Sequence, residues 1–142
     1  MSRIMACIMS RILVIDDQRD VRTMICMVLR INHFEVVEAA SAAAGLKIFG
    51  ASAFDAAIVD IFLEDANGFD VIATMREKVP DLPVVAISGM TLLDTASHSA
   101  ELSSVVCLQK PFRPNDLMRA IETAQRSRRP ADNGASRASG GV

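Results

Sequence analysis

Tryptophan and tyrosine are absent from this 142-residue chain, and cysteine occurs only three times, as Cys7, Cys26 and Cys107. An odd number of cysteines at unrelated spacings, with no CxxC pair, argues against a disulfide framework and against a structural zinc site. We therefore expect three reduced thiols in a cytoplasmic protein. No apolar run approaches the roughly 20 residues that a membrane-spanning helix needs, and the first residues do not resemble a cleaved signal peptide.

A basic surface is also missing from the sequence. The formal net charge is −2, and it is unevenly spread: residues 126–142 carry four arginines and one aspartate, whereas residues 1–125 carry 11 basic and 16 acidic side chains. A mildly acidic body with a short basic tail lacks the basic face that nucleic-acid binding requires. We expect neither nucleic acid nor a membrane among the partners.

Short apolar runs alternate with helical patterns along the chain. Continuous runs rich in Val and Ile are typical of strands buried on both faces of a parallel sheet, and apolar residues at i, i+3, i+4 and i+7 are typical of amphipathic helices. The runs are ILVI (12–15), FEVVEA (34–39), AAIV (56–59), VVAI (84–87) and VVCL (105–108). The helical segments fall at 21–29, 41–50, 67–78, 91–102 and 117–124. This order predicts a doubly wound α/β domain, a five-stranded parallel sheet with helices on both faces.

The ends of the chain differ from this domain, which we place at residues 10–126. MSRI occurs at residue 1 and again at residue 9, so either Met9 is the natural start or residues 1–8 are not native; we treat 1–9 as an N-terminal extension. Residues 127–142 are rich in Gly, Ser, Ala and Arg without periodicity, which predicts a disordered tail. A tail of this length is too short for an effector domain.

Polar residues follow four of the predicted strands. Asp16 and Asp17 come after the first strand, Asp60 ends the third, Ser88 follows the fourth and Lys110 the fifth. Each has an ordinary structural explanation when taken alone, a helix N-cap for an aspartate and a turn for Ser-Gly or Lys-Pro. Their joint occurrence is harder to explain in this way, because ligands of open parallel sheets bind at the carboxyl ends of the strands.

These groups share one chemistry. Three carboxylates around one point are tolerable when a hard divalent cation lies among them, and Mg²⁺ prefers oxygen ligands. A carboxylate can also attack phosphorus and form an aspartyl-phosphate. Phosphoryl transfer requires mainly positioning and charge neutralisation, which Mg²⁺ and a lysine supply.

The motif set resembles that of the receiver domain of two-component response regulators. The resemblance covers roughly residues 10–126, and its motifs are Asp16-Asp17, Asp60, Gly68 eight residues later, Ser88-Gly89 and Lys110-Pro111-Phe112. It implies a CheY-like, flavodoxin-like fold with strand order 2-1-3-4-5.

The resemblance also implies a role for each site residue. Asp60 would be the phosphoacceptor, and Lys110 and Ser88 would bind the phosphoryl oxygens. The Lys110–Pro111 bond would be cis. Mg²⁺, with Mn²⁺ able to substitute, would be held by Asp16, Asp17, Asp60 and the main-chain carbonyl of Phe62.

The implied partners are proteins. A sensor histidine kinase or a histidine phosphotransfer protein would donate the phosphoryl group, and a target protein would bind the face built from residues 91–126. We expect a stand-alone receiver that is a monomer or a weak, phosphorylation-dependent dimer. It would catalyse only its own phosphorylation and dephosphorylation, and so would not be a turnover enzyme.

Several positions depart from the family pattern. Cys107 stands where many receivers carry Phe or Tyr as an aromatic switch, and Glu64 stands where they often carry Pro. Phe62 and Met90 lie two residues after Asp60 and Ser88, and both are bulky and apolar. We hypothesise that they hinder the attacking water and lengthen the life of the phosphorylated state; the alternative is that they merely cover the edge of the site.

Two other functions remain open. A receiver-like module could dock to proteins without phosphorylation, and the missing aromatic at Cys107 favours this reading. A Mg²⁺-dependent phosphatase could also use an aspartyl nucleophile. Such enzymes place a second acid two residues after the nucleophile, where this chain has Phe62, which cannot donate a proton.

Overall fold

The computed structural model describes residues 10–89 and 105–133. The described strands are β1 (Arg11–Ile15), β2 (Glu35–Ala39), β3 (Ala56–Asp60), β4 (Val84–Ser88) and β5 (Val106–Gln109). The described helices are α1 (Arg19–Ile31), α2 (Ala42–Ala51), α3 (Gly68–Lys78) and α4 (Pro114–Asn133).

The five strands form one parallel sheet in the order β2-β1-β3-β4-β5. This confirms the predicted doubly wound sheet and its strand order. The chain leaves β1 toward β2 on one side and returns to β3 on the other, so the connections diverge at the carboxyl end of β1. A crevice at such a point is where open α/β sheets bind ligands.

The sheet has a hydrophobic core on each face. Alternate side chains of β1 point in opposite directions: Leu13 and Ile15 pack on the side of α2 and α3, whereas Ile12 and Val14 pack on the side of α1 and α4. All four are completely buried. Burying an aliphatic side chain of this size stabilises the fold by roughly 1.5–3 kcal/mol, which is why the continuous apolar runs form the central strands.

The edge strands are less buried than the sequence predicted. Every residue of β3 and β4 is buried, as expected for strands covered on both faces. In β5 the first three residues are only partly buried and Gln109 is exposed, and β2 is similarly open. Each edge strand has a neighbour on one side only, so an apolar run alone does not distinguish an edge position from a central one.

The last helix is longer than predicted. It continues to Asn133, whereas the helical segment predicted from apolar periodicity ends at residue 124. Apolar periodicity stops at Ala124, and the extension contains Pro130, a residue that helix interiors disfavour, so the sequence pattern does not predict it. The predicted helical segment at 91–102, the N-terminal extension at 1–9 and the final residues 134–142 lie outside the described residues. No helix in the described part of the chain is both long and apolar enough to cross a membrane.

Candidate functional site at the carboxyl edge of the sheet

Three polar or charged residues are buried in the described part of the chain, and all three are predicted site residues. Asp16 and Ser88 are 1% exposed, and Asp60 is 3% exposed. Asp16 directly follows β1, and Asp60 and Ser88 are the last residues of β3 and β4. Burying polar groups is costly unless they are paired, so their confinement to one edge of the sheet marks a functional site.

Asp60 is held on both carboxylate oxygens. Its Oδ1 accepts a hydrogen bond of 2.9 Å from the backbone N–H of Phe62, and its Oδ2 accepts one of 3.1 Å from Lys110 Nζ. The first bond belongs to the local turn, and the second comes from the end of β5. Asp60 is therefore fixed in orientation by main chain on one side and by a cation on the other.

The Lys110 ammonium lies between three oxygen atoms. Besides Asp60 Oδ2, it is 2.6 Å from Gln18 Oε1 and 3.5 Å from Asp16 Oδ2. The backbone N–H of Lys110 donates to the carbonyl of Ser88, at 2.7 Å, which ties the ends of β4 and β5 together. The peptide bond between Lys110 and Pro111 is cis.

Asp16 has one satisfied and one unsatisfied oxygen. Its Oδ1 accepts a hydrogen bond of 2.8 Å from the N–H of Gln18, whereas its Oδ2 is buried and accepts no hydrogen bond from the described residues. Lys110 stands at ion-pair distance from Oδ2 without hydrogen-bond geometry. Burial raises the pKa of the Asp16 carboxyl above its usual value. The Asp60 charge also raises this pKa, whereas the Gln18 N–H bond and Lys110 lower it without offsetting the burial.

The carboxylates of Asp16, Asp17 and Asp60 form the acidic cluster, in which one oxygen from each lies within 4.8 Å of the others. Hard oxygen donors at this spacing, with an unsatisfied oxygen on Asp16, fit the coordination preferences of Mg²⁺. Lys110 supplies one positive charge against three negative ones, so the cluster remains short of positive charge. Phe62 reaches Asp60 through its N–H, and the role of its carbonyl as a ligand stays a prediction.

Residues 61–67 form a loop that is anchored beside the acidic cluster. Asp17 Oδ2 accepts a hydrogen bond of 2.8 Å from the N–H of Glu64, a bond that a proline at that position could not make. The carboxylate of Asp65 accepts from the first two N–H groups of α2, those of Ala42 and Ala43, at 3.0 and 3.1 Å. These bonds lower the pKa of the Asp65 carboxyl.

Gly68 closes this loop against β3. Its N–H donates to the carbonyl of Ile61 at 2.7 Å, and a Cβ at this position would overlap the carbonyl oxygen of Asp60 and the Cα of Ile61. A side chain is therefore excluded by the backbone that carries Asp60. This close approach is the physical reason for a glycine eight residues after Asp60.

The site opens into a cleft of about 520 Å³. Phe62 lies at the side of this cleft and is 49% exposed. The described residues that line the cleft are Asp17, Gln18, Asp60, Phe62, Glu64, Gly89 and Lys110. Met90, which was predicted to flank the same site, lies outside the described residues.

The structure places the remaining predicted residue and adds others. Cys107 lies on β5, half-buried, and burial raises the pKa of its thiol.

The sequence reasoning did not find Gln18, or Arg22, whose guanidinium donates to the carbonyl of Asp16 at 2.8 Å and to Glu38 at 2.9 Å. It also did not find Asp65. Gln18 did carry a signal, because glutamine is an unusual residue at the start of a helix.

Comparisons with known proteins agree with this arrangement. Residues 12–122 match the family model of the response regulator receiver domain. The photosynthetic apparatus regulatory protein RegA of Rhodovulum sulfidophilum is 32% identical over 110 residues, covering 78% of this chain and 60% of RegA. A response regulator named NtrX-like, from Rickettsia bellii, is 28% identical over 115 residues, covering 80% of this chain and 24% of that protein.

Solved structures give the same result at the level of the fold. The crystal structure of a CheY-like response regulator receiver domain protein from Methanospirillum hungatei superposes with a TM-score of 0.79 at 24% identity. The match covers 87% of this chain and 98% of that one. By contrast, this chain spans about a quarter of the NtrX-like protein and 60% of RegA, so those relatives contain further sequence beyond the matched part.

Proposed function

The chain belongs to the response regulator receiver family, and from this premise we propose that it is a phosphorylatable switch with Asp60 as its phosphoacceptor. One observation carries the proposal. Asp60 is a buried carboxylate that lies beside two other carboxylates and a lysine, and it lines a cleft. A buried acid in this setting needs a cation and presents a nucleophilic oxygen, the two requirements of phosphoryl transfer to an aspartate.

The proposed reaction transfers a phosphoryl group from a phosphohistidine. A lone pair of an Asp60 carboxylate oxygen forms the new O–P bond as the P–N bond of the donor breaks, and the electron pair of that bond leaves with the imidazole. The backbone N–H of Phe62 holds the carboxylate in place during the attack. Lys110 already donates to Asp60 Oδ2, so it stands where the negative charge of the phosphoryl oxygens develops.

The proposed cofactor is Mg²⁺, which Mn²⁺ could replace. It would be held by Asp16, Asp17 and Asp60, with the Phe62 carbonyl as a fourth ligand. When bound, it neutralises the charge that accumulates as phosphate approaches three carboxylates. The unsatisfied Oδ2 of Asp16 supports this assignment, because a buried carboxylate oxygen without a donor is costly unless a cation binds it.

The proposed output is a protein contact that depends on phosphorylation. Ser88, at the end of β4, would bond a phosphoryl oxygen and shift the segment that follows it. The donor would be a sensor histidine kinase or a phosphotransfer protein in the cytoplasm, and the target would bind the face that includes α4. We propose that the receiver acts as a monomer or a weak dimer without a separate substrate. A stand-alone role is a further part of the proposal.

A phosphorylation-independent docking module is the second candidate. The observation that favours it is Cys107 on β5, a half-buried thiol at the position where a receiver with an aromatic switch carries Phe or Tyr. The buried acidic cluster weighs against it, because a docking surface has no physical need for three converging carboxylates.

An intact-mass measurement with acetyl phosphate tests the proposal. We expect the wild type to gain one phosphoryl group in the presence of Mg²⁺ and none in EDTA, and Asp60→Asn to gain none. Asp55→Asn is the matched control and should react like the wild type. It removes a carboxylate that accepts a hydrogen bond from the Arg11 backbone N–H, at the end of the sheet opposite the site. If a folded wild type that binds Mg²⁺ gains no phosphate from several donors, the docking module becomes the preferred function.

A further inference from the structure

Gln18 makes a contact that its position in the fold does not require. Its side-chain oxygen accepts the shortest of the three Lys110 contacts, 2.6 Å, from a residue 92 positions away in the sequence. The ammonium has three N–H donors, and Gln18 and Asp60 take two of them. Asp16 Oδ2, 3.5 Å away, receives no hydrogen bond.

Gln18 also occupies the N-cap of α1, where its side chain makes no capping hydrogen bond. Ser, Thr, Asp and Asn are preferred at an N-cap because their short side chains accept from the first backbone N–H groups of the helix. A glutamine here gives up that stabilisation, and its side chain extends over the cleft to Lys110 instead. A residue that breaks a local rule and contacts a functional group is a candidate for a functional role.

We propose that Gln18 is a positioning residue that holds the Lys110 ammonium on the Asp60 side of the acidic cluster and keeps Asp16 Oδ2 free for a divalent cation. Without the amide oxygen, the ammonium has two unpaired donors instead of one, and Asp16 Oδ2 is an unsatisfied acceptor 3.5 Å away. Lysine and Mg²⁺ then compete for the same oxygen. The inference rests on the proposed metal site, but it does not depend on phosphoryl transfer.

Metal binding by Gln18→Ser tests this role, with free Mn²⁺ measured by electron paramagnetic resonance. Serine is too short to reach Lys110 and is a good N-cap, so the variant should unfold at the same temperature as the wild type or higher. We expect it to bind Mn²⁺ about three- to tenfold more weakly, the range that corresponds to the net contribution of one ordinary hydrogen bond. Lower affinity together with undiminished stability separates positioning from a structural role.

The Lys110→Ala background provides the control. If Gln18 acts through the lysine, Gln18→Ser should leave the affinity of Lys110→Ala unchanged, since no ammonium remains to be held. The same loss in both backgrounds, or no loss in either, overturns the inference. Absence of Mn²⁺ and Mg²⁺ binding by the wild type overturns the proposed metal site and this inference with it.

A spectroscopic measurement adds an independent readout. The chain contains three lysines, Lys47, Lys78 and Lys110, so the side-chain Cε signals of a lysine-labelled protein can be assigned by single substitutions. We expect Gln18→Ser to alter the Lys110 signal and to leave those of Lys47 and Lys78 in place. An unchanged Lys110 signal would show that the amide does not position the ammonium.

Discussion

Lys110 donates a 3.1 Å hydrogen bond to Asp60 across 50 residues of sequence, and this bond joins the ends of two strands that are not neighbours in the sheet. β4 lies between them, and the N–H of Lys110 bonds the carbonyl of its last residue, Ser88. The Lys110 ammonium contacts two of the three clustered carboxylates, those of Asp60 and Asp16. The metal-free site retains an excess of negative charge, and this excess has measurable consequences for stability, metal binding and phosphate lifetime.

Asp16→Asn should stabilise the metal-free protein. The substitution keeps an oxygen for the Gln18 N–H and removes a buried charge, so we expect a gain of about 1 kcal/mol in the free energy of unfolding at pH 7. The Asp16 pKa is raised above the usual 3.8, so protonation favours the folded state. The gain should vanish below pH 3.8, grow between pH 3.8 and the raised folded-state pKa, and stay constant above it.

Urea unfolding followed by circular dichroism measures this effect. Asp70→Asn, at an exposed position in the first turn of α3, removes the same charge and should give no gain. Mg²⁺ should stabilise the wild type more than Asp16→Asn, because ligands that bind only the folded state add to its stability. An Asp16→Asn protein that is less stable than the wild type at pH 7 contradicts the prediction.

Asp65 should stabilise the folded protein when its carboxyl is ionised, whereas Asp16 should stabilise it when its carboxyl is protonated. The pKa of Asp65 is lowered because its carboxylate accepts from the N–H groups of Ala42 and Ala43. The stabilisation should be complete above pH 3.8 and be lost as the pH falls through the lower pKa of the folded state. Acid titrations of the unfolding midpoint should show a smaller loss for Asp65→Asn than for the wild type, and equal slopes would refute this account.

Gly68→Ala should destabilise the fold and displace the backbone of Asp60. A Cβ at residue 68 would overlap main-chain atoms of Asp60 and Ile61, which cannot move aside as a flexible side chain could. We expect a loss of about 1–3 kcal/mol, the usual cost of overpacking. Gly89→Ala is the matched control, because a Cβ there meets no atom within 4 Å. Equal unfolding midpoints for the two variants would show that the close approach is not costly.

Phe62→Asn, alone and together with Met90→Glu, should shorten the life of the phosphorylated protein. Phe62 lines the cleft, and a smaller polar side chain would admit and orient the attacking water. We expect several-fold faster loss of phosphate, followed by intact mass after removal of the donor. Met27→Asn, at a residue that is 56% exposed on α1, should leave the rate unchanged. An unchanged rate in Phe62→Asn would mean that the ring only covers the edge of the site.

The sequence by itself determined the strands and the edge at which the site forms. Continuous apolar runs favour strands that are covered on both faces, and parallel strands bring their carboxyl ends to one edge. For this reason the sequence alone places Asp16, Asp60 and Lys110 together. The end of α4 at Asn133 was missed because apolar periodicity stops at Ala124 and Pro130 lies within the extension.

Only the tertiary structure decided how the polar atoms pair. Two hydrogen bonds join groups that are distant in sequence: the bond from Lys110 to Gln18, and the bond from the α2 N–H groups to Asp65. The Oδ2 of Asp16 is left without a donor. Periodicity reports which face of an element is buried, but it does not report the position of one side-chain atom relative to another across a cleft. Hydrogen bonds depend on distances within a few tenths of an ångström, and those distances are set by the packing of the whole sheet.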